Sequence, residues 1–282
     1  NLSINLVKQW KKIPVKYAFA PGNPGHIEHL ASCIPGPVWE SDKTNWDYMM
    51  FPWIVEVTRD TVKHLAVRHP KWDDEQFEGY LADVDGCFED IFEKTVYRTS
   101  DGAVYTPKSS GIMKSGWFFT IGGNSIAQLA VHVMTCIHLG LSDEEILALG
   151  IIAGGDDVNQ EPVPGGVSKY VACAADLGVE MEIHERESMY HSEYFSSDLR
   201  MGDDGPEYYP KRWTKHIEHL KVIKLEDLAD ALCSHMENYR HDKQKFMFLE
   251  DMYHSLRDKH PSEFPVSKLV SRALLLAKQY GY

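Results

Sequence analysis

The chain has 282 residues, of which 43% are hydrophobic and 25% charged, values typical of folded domains with a buried core. No apolar run approaches the roughly 20 residues that a helix needs to cross a bilayer, so we expect no membrane-spanning segment. The net charge of −13 is opposite in sign to the Lys and Arg excess usual in proteins that grip a nucleic-acid backbone. The five scattered cysteines, with no Cys-x-x-Cys pair, are expected to be free thiols.

The first half of the chain begins with looped segments and continues with helices. Residues 1–40 are rich in proline and glycine, which predicts extended or looped chain. A short apolar approach at 38–39 then leads into three nearby acids, Glu40, Asp42 and Asp47. Over residues 73–94, apolar residues at helical spacing predict a helix with one face in a core. Residues 104–106 predict a short strand that Pro107 closes.

The second half alternates helices and hairpins. A long helix is predicted over residues 120–138, because Gly140 is a natural C-terminal stop. The spacing of Ser142 and Glu145 has the capping-box pattern of a short helix. Helical and strand patterns follow over 166–177 and 179–183, and a hairpin is predicted around 194–205. Apolar periodicity predicts helices over 226–240, 246–257 and 266–278.

Two adjacent acids lie in a predicted hairpin turn at Gly154-Gly155-Asp156-Asp157. Adjacent side chains of a strand point to opposite faces, so only one of the two carboxylates is expected to face a given cleft. Taken alone, this segment would be explained by a solvated Asp-Asp turn. Two patterns upstream favour a functional interpretation of this segment.

Three short patterns occur in order along the chain. Asp42 and Asp47 form Asp-x4-Asp, residues 115–125 contain Ser-Gly-x3-Thr-x3-Asn-Ser, and residues 155–157 are Gly-Asp-Asp. In this order they resemble the palm motifs A, B and C of viral RNA-dependent RNA polymerases. Residues 111–116 and 124–128 look most like the sobemo-like group of positive-strand RNA viruses.

The resemblance implies an RNA-directed RNA polymerase catalytic core, which adds ribonucleotides to an RNA 3′ end during viral genome replication in the host cytoplasm. It implies an α+β fold: a palm over residues 41–209, with a central antiparallel sheet flanked by helices, and a small helical thumb over 210–282. Residues 1–40 are expected to connect fingers to palm, and the fingers that precede motif A in this family have no counterpart in the sequence. The implied partners are an RNA template and primer, nucleoside triphosphates and other viral replication proteins.

The same resemblance assigns site residues. Nucleotidyl transfer in this family uses two Mg²⁺ ions roughly 3.5–4 Å apart, for which Mn²⁺ can substitute. Hard Mg²⁺ prefers carboxylate oxygens. The implied catalytic residues and metal ligands are Asp42, Asp156 and Asp157. The implied substrate-binding residues are Asp47, Ser115, Gly116, Thr120, Asn124 and Arg186.

Two of these residues match the family positions that read the ribose. A 2′-hydroxyl is both donor and acceptor, so Asp47 and Asn124 together can recognise it. Thr120 lies four residues before Asn124, so a helix would present both on one face. A helix cap is the alternative explanation of Thr120. The Gly122-Gly123 pair at the helix start predicts either close packing of a neighbouring backbone or a start that flexes.

The proton donor for the pyrophosphate is left open. The family usually has a lysine after the strand of motif D, where this chain has His184-Glu185-Arg186. Arginine stays protonated and is a poor proton donor. Arg186 is therefore expected to neutralise phosphate charge, with His184 or Lys169 as candidate donors.

Two other functions compete with an active polymerase. An inactive palm–thumb module that needs separate fingers to bind template would agree with the net charge of −13. A metal-dependent phosphodiesterase or cyclase on a related palm-like sheet is a third interpretation. The Ser-Gly-x3-Thr-x3-Asn pattern argues against that third interpretation.

Overall fold

A computed structural model describes residues 2–108 and 111–269 of the chain. The protein has a mixed α+β fold with antiparallel sheets, which confirms the predicted fold class. It divides into two compact units, one of residues 1–19 and 36–186 and the other of residues 20–35 and 187–282. The division into segments 1–40, 41–209 and 210–282 stays a prediction. Across the described residues, no helix has both the length and the apolar character needed to cross a membrane.

The first unit is built on a four-stranded sheet. Its strands are β1 (Val38–Lys43), β4 (Ile151–Gly154), β5 (Asp157–Gln160) and β6 (Met181–Arg186), in the order β4-β5-β1-β6. All three neighbouring pairs are antiparallel. A separate two-stranded ribbon consists of β2 (Tyr97–Arg98) and β3 (Val104–Tyr105). The helices of this unit are α1 (Leu2–Gln9), α3 (Pro52–His64), α4 (Asp74–Phe92), α5 (Thr120–His138), α6 (Asp143–Ala148) and α7 (Val167–Asp176).

Several local predictions are confirmed in this unit. The helix predicted over 120–138 is α5, and Gly140 follows it with the positive φ of 83° that a C-terminal glycine stop adopts. The capping box of Ser142 and Glu145 starts α6, because each residue bonds the backbone N–H of the other. The β4–β5 hairpin forms around the turn Gly155-Asp156.

The core of the first unit lies between the helices and one face of the sheet. It includes Trp39, Ile54, Phe88, Val131 and Tyr170, all buried. Because side chains alternate along a strand, the face of β1 that carries Trp39 also carries residues 41 and 43. The opposite face carries residues 38, 40 and 42. The acids Glu40 and Asp42 therefore lie on one face of β1, and Ser41 and Lys43 lie on the other, beside the core.

The second unit combines a three-stranded antiparallel sheet with helices. Its strands are β7 (Glu193–Tyr194), β8 (Ser197–Gly202) and β9 (Gly205–Pro210), and its helices are α2 (His26–Cys33), α8 (Trp213–Leu220), α9 (Leu225–Asn238) and α10 (Lys243–Lys259). A second core includes Leu232, Met236, Leu249, Tyr253 and Phe264. The hairpin predicted around 194–205 and the helices predicted over 226–240 and 246–257 are confirmed. Residues 270–278 of the last predicted helix lie outside the described residues.

Candidate active site

The acidic residues of β1 and of the β4–β5 hairpin lie at the same end of the sheet. Ser41 of β1 pairs with Val158 of β5. Asp42 and Asp157 are the next residues along these antiparallel strands, so they are neighbours on one face. Asp156 is exposed in the turn, Asp42 is exposed and Asp157 is partly buried. The structure therefore places Asp42 beside Asp157 on adjacent strands, with Asp156 in the adjoining turn.

A fourth carboxylate adds to this acidic end of the sheet. Glu182 of β6 pairs directly with Asp42. Like charges that face each other across a strand pair are destabilising. The sequence patterns gave no reason to single out Glu182.

The hairpin turn is fixed by a serine of α5. Gly155 has a positive φ of 72°, a conformation that favours glycine, and its N–H donates to Oγ of Ser125 at 2.9 Å. Ser125 is fully buried, and its hydroxyl donates to the carbonyl of Ile121 at 2.7 Å. The serine was visible in the sequence pattern but had no assigned role. It joins α5 to the turn that carries Asp156.

Lys43 places a buried amine behind the carboxylates. It is 6% exposed, and its Nζ donates to Oγ of Ser41 at 2.6 Å. Burial lowers the pKa of Lys43 to about 7, although the negative charges of Asp42 and Asp156 act to raise it. Sequence reasoning missed this residue. The signal that could have found it is its position on the same strand face as Trp39 and Ser41.

The predicted ribose-reading pair lies on either side of Trp46. The indole N–H of Trp46 donates to Oδ1 of Asn124 at 3.0 Å. An indole N–H only donates, so the amide oxygen must face it, and the NH₂ group of Asn124 is what can be offered to a ligand. Asp47 follows Trp46, and burial together with repulsion from Asp156 raises the pKa of its carboxyl. The bond from Trp46 thus connects the segment that carries Asp47 to Asn124 of α5.

The loop before α5 is exposed at Ser115 and Gly116, whereas Thr120, the first residue of α5, is partly buried. The Thr120 hydroxyl lies 2.8 Å from the carbonyl oxygen of Lys114 and 2.6 Å from that of Trp117. It makes no helix-cap bond at the start of α5. Thr120 therefore holds the loop to the helix without acting as its cap, and its role in substrate binding stays a prediction.

The Gly122-Gly123 pair is explained by aromatic packing. A Cβ on Gly122 would overlap the ring of Phe119, and one on Gly123 would lie 2.9 Å from Cζ3 of Trp117. The Trp117 ring in turn packs edge-on against Phe88 of α4, with ring centroids 5.4 Å apart. The groups that pack against these glycines are thus side-chain rings, and not the neighbouring backbone that the sequence predicted as one of two explanations.

Arg186 is not brought to the carboxylates. It pairs with Val38 at the far end of β1, four residues or about 13 Å from Asp42 along the strand. Its guanidinium forms an ion pair with the buried Glu40, with Nη2 and Oε2 2.9 Å apart. His184 is exposed on β6 opposite Glu40, and Lys169 is exposed on α7. The role of each in proton donation stays a prediction.

Comparisons with known proteins add no family. No family model matches this sequence, and no curated protein matches it either. Within residues 2–108 and 111–269, no three His, Cys, Asp or Glu side chains form a ready-made metal site.

Proposed function

We propose that this chain is the catalytic core of an RNA-directed RNA polymerase, with a palm built on the four-stranded sheet and a helical thumb. It would add ribonucleotides to an RNA 3′ end on an RNA template, as in viral genome replication. The proposal rests on the ordered sequence patterns and on the way their residues meet in the first unit.

One observation carries the proposal. The three pattern segments, which are far apart in sequence, meet at one end of one sheet. Asp42 and Asp157 are neighbours on adjacent strands. The bond from Gly155 to Ser125 and the bond from Trp46 to Asn124 connect both acidic segments to α5. A solvated Asp-Asp turn would need none of these connections.

The donor set fits magnesium. Mg²⁺ is usually held by one or two protein carboxylates, with water and substrate phosphates supplying the other ligands, rather than by an all-protein cage. Asp42, Asp156 and Asp157 would hold it, and Mn²⁺ could substitute. When bound, the ions would supply activation of the primer 3′-hydroxyl and neutralisation of the phosphate charge. Lys43 would balance part of the carboxylate charge from behind the sheet.

The substrate class follows from Asp47 and Asn124. Because the Asn124 oxygen is occupied by Trp46, its NH₂ group would donate to a ribose 2′-oxygen. The 2′-hydroxyl proton would in turn be accepted by the Asp47 carboxylate. A deoxyribose lacks the group that satisfies both, so the pair would select ribonucleotides.

Primer extension tests the proposal. We would incubate the wild-type chain and its Asp156→Asn variant with a primed RNA template, nucleoside triphosphates and Mg²⁺ or Mn²⁺. Extension by the wild type and none by the variant would support a polymerase, provided that urea unfolding shows both to be folded. Equal extension by both, or hydrolysed or cyclised nucleotide products instead of extension, would contradict it.

A second candidate function is favoured by the net charge of −13. A palm module that binds template only together with separate fingers would carry the same carboxylates without a basic surface of its own. Binding of a primer–template duplex at low and high salt separates the two. A competent core should bind and lose affinity as salt rises, whereas the module should barely bind at any salt concentration.

A further inference from the structure

A large cavity of the first unit opens beside Asp47. Its volume is about 780 Å³, within the range of roughly 300–1,000 Å³ typical of ligand pockets. Its walls include Asp47, Tyr48, Tyr97, Lys114, Ser115 and Trp117. The cavity therefore shares Asp47 and the Ser115 loop with the proposed ribonucleotide site, and extends from them toward the β2–β3 ribbon.

The ribbon presents aromatic rings to solvent at this place. Tyr97 and Tyr105 are directly opposite each other across β2 and β3, so their side chains stand side by side on one face. Tyr97 is 38% exposed, Tyr105 is 58% exposed, and Tyr48 on the cavity wall is 72% exposed. Exposed rings grouped at the mouth of a cavity are typical of a surface that binds a ligand.

Lys114 supplies positive charge to the same wall. Its Nζ donates to the carbonyl of Ile112 at 2.6 Å and lies 5.6 Å from the centroid of the Tyr97 ring. An ammonium has three donors, and one of them is used in this bond. The lining of the cavity thus combines aromatic rings with the ammonium of Lys114 and the carboxyl group of Asp47.

These features fit one occupant best. Proteins bind single-stranded nucleic acid by stacking unpaired bases on aromatic side chains while cations contact the phosphates. We infer that Tyr97, Tyr105 and the cavity beside Asp47 bind the unpaired bases of a single RNA strand, with Lys114 facing its phosphates. The inference rests on the proposed function, since it places the strand next to the ribonucleotide site.

Fluorescence anisotropy with a labelled single-stranded oligouridylate, without Mg²⁺ or nucleotides, tests the inference. Tyr105→Ala should weaken binding by about tenfold, within the stacking energy usual for one base. Tyr105→Phe keeps the ring and should restore affinity. Leu147→Ala, which shortens another side chain that is 85% exposed in the same unit, should leave affinity unchanged. Lys114→Met should reduce the slope of affinity against salt by about one ion.

The outcomes are separate from those of the polymerase test, because binding is measured without catalysis. Loss of affinity in Tyr105→Ala with rescue by Tyr105→Phe would support the inference even if no extension is seen. No binding by the wild type, or equal binding by wild type and Tyr105→Ala, would overturn it even if extension is normal. If Tyr105→Ala raises the KM for nucleotides but leaves oligouridylate binding unchanged, the inference is also overturned. The occupant of the cavity would then be the incoming nucleotide.

Discussion

Gly-Asp-Asp occurs twice in this chain, at residues 155–157 and 202–204, and each copy lies at a β-hairpin turn. In the first hairpin Gly154 pairs with Asp157, so the turn is Gly155-Asp156. In the second, Gly202 pairs with Gly205, and the turn is Asp203-Asp204. The same tripeptide is thus shifted by one residue relative to its turn. In the first hairpin one acid stands on a strand, whereas in the second both acids stand in the turn.

The surroundings of the two hairpins differ more than their turns. Strand β5 of the first hairpin lies inside its sheet next to β1 and Asp42, and Ser125 holds its turn. Strand β9 of the second hairpin is an edge strand, and the Glu207 side chain fills the space over Gly202. The Gly-Asp-Asp tripeptide alone therefore does not identify a candidate active site. What distinguishes the first copy is the strand beside it and the helix that fixes its turn.

The strongest test of this comparison exchanges one acid in each hairpin. Asp156→Asn removes a proposed metal ligand and should abolish primer extension. Asp204→Asn makes the same chemical change in the exposed turn of the second hairpin and should leave the extension rate unchanged. Steady-state extension on one primed RNA template measures both. If the two variants lose activity equally, the distinction between the hairpins is wrong.

The serine that fixes the first turn should have the next largest effect. Ser125→Ala leaves the N–H of Gly155 without its partner, and loss of such a supporting bond typically costs about 10- to 100-fold in activity or metal affinity. The measurement is the extension rate as a function of Mg²⁺ concentration. Ser197→Ala is the matched control, since Ser197 is also buried and lies on β8 of the second hairpin. An unchanged Mg²⁺ dependence in Ser125→Ala would show that the turn needs no support from α5.

Local signals in the sequence were enough to predict much of the fold. Helix α5 and the capping box at Ser142 follow from the types of a few neighbouring residues, and the β4–β5 hairpin follows from its glycine-rich turn. The sequence patterns also named the carboxylates that meet at the end of the sheet. These features depend on short-range geometry, which the sequence displays directly.

What could not be predicted depends on register and on packing between distant segments. The pairing of β1 with β6 places Arg186 opposite Val38 and beside Glu40, and no local pattern specifies that register. The burial of Lys43 requires knowing which face of β1 meets the core. The Gly122-Gly123 pair needed the position of the Phe119 ring. The first two are contacts between distant segments, whereas the ring of Phe119 reaches Gly122 from only three residues away.

Acid should weaken both hairpins, because a buried histidine, His132, is linked to the first and a partly buried one, His241, packs against the second. His132 bonds Tyr170, which donates to Gln160 of β5 at 3.3 Å, and burial lowers the pKa of His132 to about 4. His241 packs against Tyr208 of β9, and burial likewise lowers its pKa to about 4. A folded-state pKa below the unfolded value means that the stabilisation is complete above pH 6.5 and is lost as pH falls toward 4.

The contribution of His132 can be isolated by substitution. Between pH 7 and pH 5 the wild type should lose about 2 kcal/mol more unfolding free energy than His132→Gln, which has no proton to take up. Urea unfolding at the two pH values measures this difference. His138→Gln, at an exposed position of the same helix, is the control and should follow the wild type. Parallel losses in wild type and His132→Gln would mean that His132 takes up its proton as readily in the fold as in the unfolded chain.

The smallest expected effect is on the choice between ribose and deoxyribose. In the proposed function this choice is made beside the first hairpin and not beside the second. Asn124→Ala removes the NH₂ donor offered to the 2′-oxygen. It should reduce the preference for ribonucleotides over deoxynucleotides by about tenfold, the value of one hydrogen bond, with little change in the ribonucleotide rate. Competition between the two nucleotide types in primer extension measures the preference.

Trp46→Phe shows whether Asn124 reads the sugar or only satisfies the indole. This variant removes the N–H that the Asn124 oxygen accepts, but it keeps the ring and leaves the amide of Asn124 in place. If Asn124 acts on the ribose, Trp46→Phe should keep most of the ribonucleotide preference that Asn124→Ala loses. If the two variants lose the same amount of ribonucleotide preference, the hydrogen bond between Trp46 and Asn124 has only a structural role. Ribose selection would then depend on Asp47 alone. Its carboxylate can accept the 2′-hydroxyl proton without help from the amide, so some preference should survive even then.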